Sequence, residues 1–277
     1  MSLNKKFLAG LFLPVCFLSS PSHSAEIPLW ELGAGAGVVS MPDYRGSDQR
    51  QSYVLPIPYV VYRGEFLQVD RQKIRGLLYK SDRVELDVSL NGSIPVKSDN
   101  NTARQGMPNL DPTFEIGPQL NVFLAKGTES DYELTLRLPV RSIQAVKSFH
   151  TRNAGLIFSP VLNLDLKPGD GWNVGLSGGP IFGDRKYHEY FYSVDSQYAT
   201  PDRPAYAAHG GYSGTQFTAA LSKRYPKFWV GMFLRADSLN GAAFEDSPLL
   251  KQKYVVSGGF GISWIFAQSK TLVNASE

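Results

Sequence analysis

The chain has 277 residues, of which 43% are hydrophobic, 12% aromatic and 19% charged, with a formal net charge of +3. A mean hydropathy of -0.19 excludes a bundle of spanning helices, since each would need about 20 consecutive apolar residues. It does not exclude a spanning barrel, whose strands alternate apolar and polar side chains and so average to an ordinary value.

Lys5 and Lys6 precede an apolar run from Phe7 to Leu18, and small or polar residues follow from Ser19 to Ala25. A basic end, a short apolar stretch and a small-residue exit describe a cleaved secretory signal peptide, here residues 1–25. Cleavage fits after Ser24, with Ala25 the rival. Cys16 follows Val15, which is too bulky for a lipoprotein box. Without the leader no cysteine remains, and 26 basic residues face 25 acidic ones. Thiolate chemistry is thereby excluded from the mature chain, and the near-neutral balance gives no support to nucleic-acid binding.

From Trp30 onward the pattern has period two, which places alternate side chains on opposite faces of a sheet. Trp30, Leu32, Ala34, Ala36 and Val38 alternate with Glu31, Gly33, Gly35 and Gly37. Val84, Leu86, Val88 and Leu90 alternate with Glu85, Asp87 and Ser89. Phe114, Ile116, Leu120 and Val122 alternate with Glu115, Gln119 and Asn121. Tyr132, Leu134, Leu136, Leu138 and Val140 alternate with Glu133, Thr135, Arg137 and Arg141. Leu156, Phe158, Leu162 and Leu164 alternate with Gly155, Ser159, Asn163 and Asp165. Tyr254 to Phe266 repeats the pattern with the most aromatic face of all.

A soluble sandwich leaves many of these apolar faces without cover, because no helical segment is available. A transmembrane antiparallel up-and-down β-barrel uses both faces, one against lipid and one toward the lumen. Long connections at 41–52, 92–113, 146–153, 183–211 and 240–251 alternate with short ones at 63–65, 80–82, 126–130, 167–171 and 225–227. The alternation holds throughout if the stretch from Glu65 to Lys80 turns back near Asp70 to Lys73. Twelve strands result, at roughly 28–40, 53–62, 65–70, 74–79, 83–91, 114–125, 131–145, 154–166, 172–182, 212–224, 228–238 and 252–266. Ten is the alternative, because the third and fourth are short. The barrel then occupies residues 26–266, with both ends on the periplasmic side and a periplasmic tail at 267–277. Trp30, Trp172, Trp229 and Trp264 all fall near that end, where indoles favour the membrane interface, although the phase of Trp229 turns it inward. Gly261, Trp264 and Phe266 resemble the terminal signal read by the barrel-assembly machinery. Outer-membrane lipid and lipopolysaccharide are the expected surroundings.

Glu31, Arg83, Glu85, Asp87, Glu115, Glu133, Arg137, Arg141, Asp165, Arg235 and Asp237 are expected to point into the lumen. Their mixed signs suit mutual pairing better than ion selection. No catalytic, cofactor or metal set stands out. His150, His188 and His209 all fall in predicted loops, and the densest polar cluster, Asp184, His188, Glu189 and Asp195, reads as a tyrosine-rich loop folded over the mouth. Gly33, Gly35 and Gly37 do not continue into a phosphate-binding loop, since Val38 follows.

The opening Pro28-Leu29-Trp30-Glu31-Leu32-Gly33 and the segment Pro42-Asp43-Tyr44-Arg45-Gly46-Ser47 resemble the MipA/OmpV family of outer-membrane proteins. The resemblance continues in Leu55-Pro56-Ile57-Pro58-Tyr59, in the aromatic segment with Tyr187, Tyr190 and Phe191, and in Asp246-Ser247-Pro248-Leu249. It implies a Gram-negative outer-membrane location and a non-enzymatic scaffolding role in murein metabolism, bridging a lytic transglycosylase and a murein synthase. A small-solute channel is the alternative that a charged lumen allows.

Overall fold

A computed structural model of the protein describes residues 26–64, 67–69, 74–127, 131–148 and 150–274. The barrel strands are β1 (Trp30–Pro42), β2 (Arg50–Arg63), β3 (Leu67–Val69), β4 (Ile74–Lys80), β5 (Val84–Ser93) and β6 (Thr113–Lys126). They continue with β7 (Tyr132–Lys147), β8 in two pieces (His150–Phe158 and Val161–Leu166), β9 (Trp172–Gly183), β10 (Gly211–Arg224), β11 (Phe228–Ser238) and β12 (Tyr254–Gln268). Each pairs antiparallel with its chain neighbour, and β12 pairs with β1 to close the ring. The twelve-strand count of the loop alternation is the observed one. The predicted turn at 70–73 lies outside the described residues, but its flanks pair with each other, Leu67 with Gly76 and Val69 with Ile74. The signal-peptide reading also falls outside the described residues.

The sheet buries its polar face. Asp87 has no exposure, and Glu31, Glu85, Asn121, Thr135 and Asn163 are buried with it, whereas Phe217 is 61% exposed and Trp264 59%. A soluble sheet protein does the reverse. An outer apolar surface and an inner polar one are the signature of a barrel solvated by lipid. No helix among the described residues is long and apolar enough to cross a membrane, so crossing falls to the strands.

Prolines punctuate one side of the wall. β8 breaks between Phe158 and Val161, at Ser159 and Pro160. Pro160 has no N–H to donate, and Ser159 N bonds Pro139 O at 3.3 Å beside the break. The closing seam is built from glycine. Gly37 faces Gly261 and Gly35 faces Ser263 across β1 and β12.

Three boundaries differ from the sequence reading. The 146–153 stretch is no long loop: Val146 pairs with Thr151 and Lys147 with His150, so the β7–β8 hairpin rises as a paired ribbon and puts His150 on a strand. Arg83 lies before β5 and is exposed, because the turn from Lys80 consumes it. β12 runs on to Gln268, and Leu272–Asn274 then pairs with Glu26–Pro28 in a two-stranded terminal ribbon. Residues 275–277 lie outside the described set. Trp229 is turned inward as its phase indicates, packed on Tyr59, Val61 and Ile265.

Candidate functional site

The long connections fold into one body over the mouth opposite the termini. Its core contains Tyr44, Val96, Leu110, Tyr192, Leu239 and Phe244, drawn from four different loops or loop edges. A second cluster joins Ala103, Met107, Val194 and Leu249. Helix α1 (Arg185–Tyr192) starts at Asp184, whose carboxylate accepts from Tyr187 N at 2.8 Å. That cap satisfies one of the four N–H groups a helix start leaves orphaned. The helix seats on β8 at Gly155, where φ is +120° and a Cβ would meet Tyr187 N at 2.5 Å.

The segments that carry the family resemblance meet here. Tyr44 donates to Leu249 O at 2.8 Å, Tyr192 donates to Arg45 O at 2.8 Å, and Ser247 donates to Tyr192 O at 2.7 Å. Asp43 and Ser47 accept from Asn101 Nδ2 at 2.7 and 3.1 Å. Gly46 has φ +94° and its carbonyl accepts from Lys251 N and Gln252 N at 2.8 and 3.0 Å. The Tyr192 and Phe244 rings stack at 3.6 Å, and Tyr187 and Tyr190 each meet Phe191 edge-on. Tyr190 donates to Asp111 O at 3.1 Å. Asp246 is exposed and Pro248 half-buried. Burial raises the pKa values of Tyr44 and Tyr192, so both stay neutral donors.

Arg45 links the cap to the lumen. Its Nε bonds Asp237 at 2.9 Å, and Asp237 also accepts from Arg235 at 2.8 and 2.9 Å. Burial works against the Arg45 charge, but Asp237 together with the Tyr192 and Tyr187 hydroxyls outweighs it and the pKa is raised. Deeper in the lumen Arg141 bonds Glu115 at 2.8 Å, Ser89 at 3.3 Å and Ser159 at 3.1 Å, tying β7 to three other strands. Arg137 bonds Asp165 at 3.2 Å. Glu85 and Asp87 both accept from Asn121, and Glu133 accepts from Thr135 at 3.2 Å. At the terminal end Glu31 holds Arg63 at 2.9 Å and Arg224 at 2.7 Å, the latter reaching over from β10. Gly261 faces Gly37 on the lumen side, while Trp264 and Phe266 point outward and are exposed.

The polar cluster around α1 does not converge on a reactive group. Asp184 caps the helix, and Glu189 pairs with exposed Arg185 at 2.7 Å. His188 has no exposure and is held between His209 O and the hydroxyl of Ser213, which is equally buried. The ring is oriented by a backbone carbonyl, and the hydroxyl is closed off from solvent. Burial lowers the pKa of His188, against the opposing pull of His209 O and Asp184. The neutral ring therefore belongs to the folded cap. Stability from a lowered base is present above its unfolded value of about 6.5 and is lost as pH falls through the folded one. Protease resistance of the 184–210 loop should fall between about pH 7 and about pH 5, and His188→Gln should remove that dependence. A loop equally resistant at both pH values would refute the role given to His188.

Asn101, Ser213 and Phe244 carry the cap but did not stand out in sequence, and only Phe244, two residues before Asp246-Ser247-Pro248, left a readable trace. Asp237, expected in the lumen, is buried there; its bond to Arg45 of the cap had no sequence signal. No three metal-ligating side chains come together among the described residues.

A family profile described as MltA-interacting protein MipA matches residues 34–266. The chain belongs to the MipA family. It is an outer-membrane β-barrel. The comparison with curated proteins returns no match. Among solved structures the chain is similar to the NanC porin, at 10% identity and a TM-score of 0.38, over 87% of this chain and 99% of that one. An outer membrane channel from Pseudomonas putida F1 aligns at 12% identity and 0.39, over 89% and 99%. Outer membrane phospholipase A from Escherichia coli aligns at 11% identity and 0.33, over 89% and 93%. Scores this low add nothing to what the strand pairing of this MipA-family barrel establishes.

Proposed function

We propose that this MipA-family protein is a non-enzymatic scaffold of the outer membrane, on which enzymes of murein metabolism assemble. The folded cap carries the reading. Loops with their own apolar core over one mouth, above a lumen crossed by ion pairs, suit a fixed support better than a conduit. The family description names MltA as the interactor. The partners proposed for this chain are accordingly a lytic transglycosylase and the murein synthase it works beside.

Such partners meet the barrel from the periplasm. The terminal end offers the ribbon of Glu26–Pro28 and Leu272–Asn274 and the paired ends of β6 and β7 at Lys126 and Glu133. Removing residues 269–277 should reduce capture of murein enzymes by immobilised protein about tenfold, equivalent to ~1.4 kcal/mol. Unchanged capture would take the ribbon out of the interface, and no capture by the full chain would end the scaffold reading.

A small-solute channel is the second reading, which a lumen lined with charges from Glu31 to Asp237 allows. In planar bilayers the folded protein should give no conductance steps. Reproducible steps that change on Arg141→Ala would replace the scaffold with a channel.

A further inference from the structure

Arginines inside this barrel are matched with carboxylates: Arg63 and Arg224 with Glu31, Arg45 and Arg235 with Asp237, Arg137 with Asp165 and Arg141 with Glu115. Three arginines of the cap break the pattern and make no ion pair among the described residues. Arg104 is only 3% exposed, yet it bonds neutral oxygens alone, Ser98 Oγ at 3.3 Å, Phe191 O at 3.1 Å and Pro108 O at 3.2 Å. Arg203 bonds only carbonyls, those of Tyr198 at 2.6 Å, Ala103 at 3.1 Å and Gln105 at 2.9 Å. Arg152 lies over the Tyr190 ring at 5.6 Å.

Two of the three, Arg104 and Arg152, line one cleft. It has a volume of about 490 Å³ and is walled by Arg104, Arg152, Lys186, Tyr190 and Tyr198. Glu189 and Asp195 also line it, but Glu189 is already held by Arg185. A second hollow of about 520 Å³ shares Arg152 and adds Lys147. A guanidinium has five N–H donors, and Arg104 spends three bonds on weak neutral acceptors. Burial lowers its pKa; the Tyr44 and Tyr190 hydroxyls oppose this, and Arg203 adds repulsion. An arriving anion relieves both the desolvation and the repulsion through charge-assisted bonds.

We infer that this cleft, between the 94–112 loop, α1 and the β7–β8 hairpin, binds a phosphorylated sugar. The anionic group sits toward Arg104 and Arg152, and the ring lies against Tyr190 and Tyr198. The volume falls in the range of small-ligand sites, and tyrosine offers an apolar face with a polar tip. The same chemistry is presented by the phosphorylated headgroup of lipopolysaccharide and by a free sugar phosphate.

The test uses the full folded chain in a phosphate-free maltoside detergent. Glucose 6-phosphate is titrated against glucose in one arm, and lipopolysaccharide against its dephosphorylated form in the other, with tyrosine fluorescence as the readout. In at least one arm the phosphorylated probe should bind about tenfold or more tightly than its neutral counterpart. Binding of glucose 6-phosphate assigns a soluble ligand, and binding of lipopolysaccharide alone assigns the headgroup. The double variant Arg152→Gln, Lys186→Gln touches only exposed rim positions and should weaken the phosphorylated probe alone, again about tenfold. Arg104→Met should weaken it further where the cap stays folded. Equal affinity for charged and neutral probes, binding of neither, or an unaffected rim double variant overturns the site.

Discussion

Gly35→Leu is expected to leave the chain without a closed barrel. Gly35 faces Ser263 across the junction of the first and last strands, and a Cβ at Gly35 would land on the Ile262 carbonyl, 2.5 Å from Ser263 Cα. Those atoms are backbone and cannot swing away as a side-chain tip would. Overpacking of this kind costs about 3 kcal/mol or more, and here it falls on the one pairing that closes the ring. The heat-sensitive, protease-resistant gel band of a folded barrel should disappear. Gly175→Ala is the control, because its Cβ finds nothing nearer than Asp165 Oδ1 at 3.5 Å. A folded band for Gly35→Leu would show that the seam has slack the packing denies.

Tyr192→Ala should unfasten the cap and leave the barrel standing. The side chain stacks on Phe244, meets Tyr44 edge-on at 6.3 Å and donates to Arg45 O, and it is almost fully buried. Truncating a buried aromatic to alanine costs about 3–5 kcal/mol, and the 184–210 and 239–253 loops share that core. Hydrogen exchange and protease nicking should rise in both loops, with the barrel's heat-sensitive mobility unchanged. Loops as protected as the wild type would mean the cap is held by the Arg45–Asp237 anchor and not by its apolar core.

The barrel was legible because its pattern is binary. A strand such as Trp30 to Val38 states its two faces by alternation, and strand number follows from alternating loop lengths. The short third and fourth strands yielded only to that alternation, since Leu67–Val69 is too brief to show a period. The β7–β8 hairpin was misjudged because polar residues near a turn read as loop, although Val146 and Thr151 continue the ladder above the mouth. The cap was legible only as separate segments. Asp43 to Ser47, Tyr187 to Phe191 and Asp246 to Pro248 stood out through the family resemblance, but nothing local says that Tyr44 reaches Leu249 or that Ser213 backs His188. Those contacts join residues up to 205 positions apart, and irregular loops carry no period from which such pairing follows.

The closing seam also dictates when the molecule can become itself. Ser40 waits for Gly258, and Glu31 for Gln268, with nearly the whole chain between them. Contacts so distant in sequence form late, because the entropy of bringing the ends together is spent before any pairing rewards it. On its lumen face the first strand offers its partner a row of glycines, with no side chains there to hold a provisional grip. Until the final strand is delivered, the chain is an open sheet with two raw edges, which the hydrocarbon of a bilayer does not tolerate. Insertion and closure therefore coincide, and a chain that lacks the last strand is left as an incomplete wall.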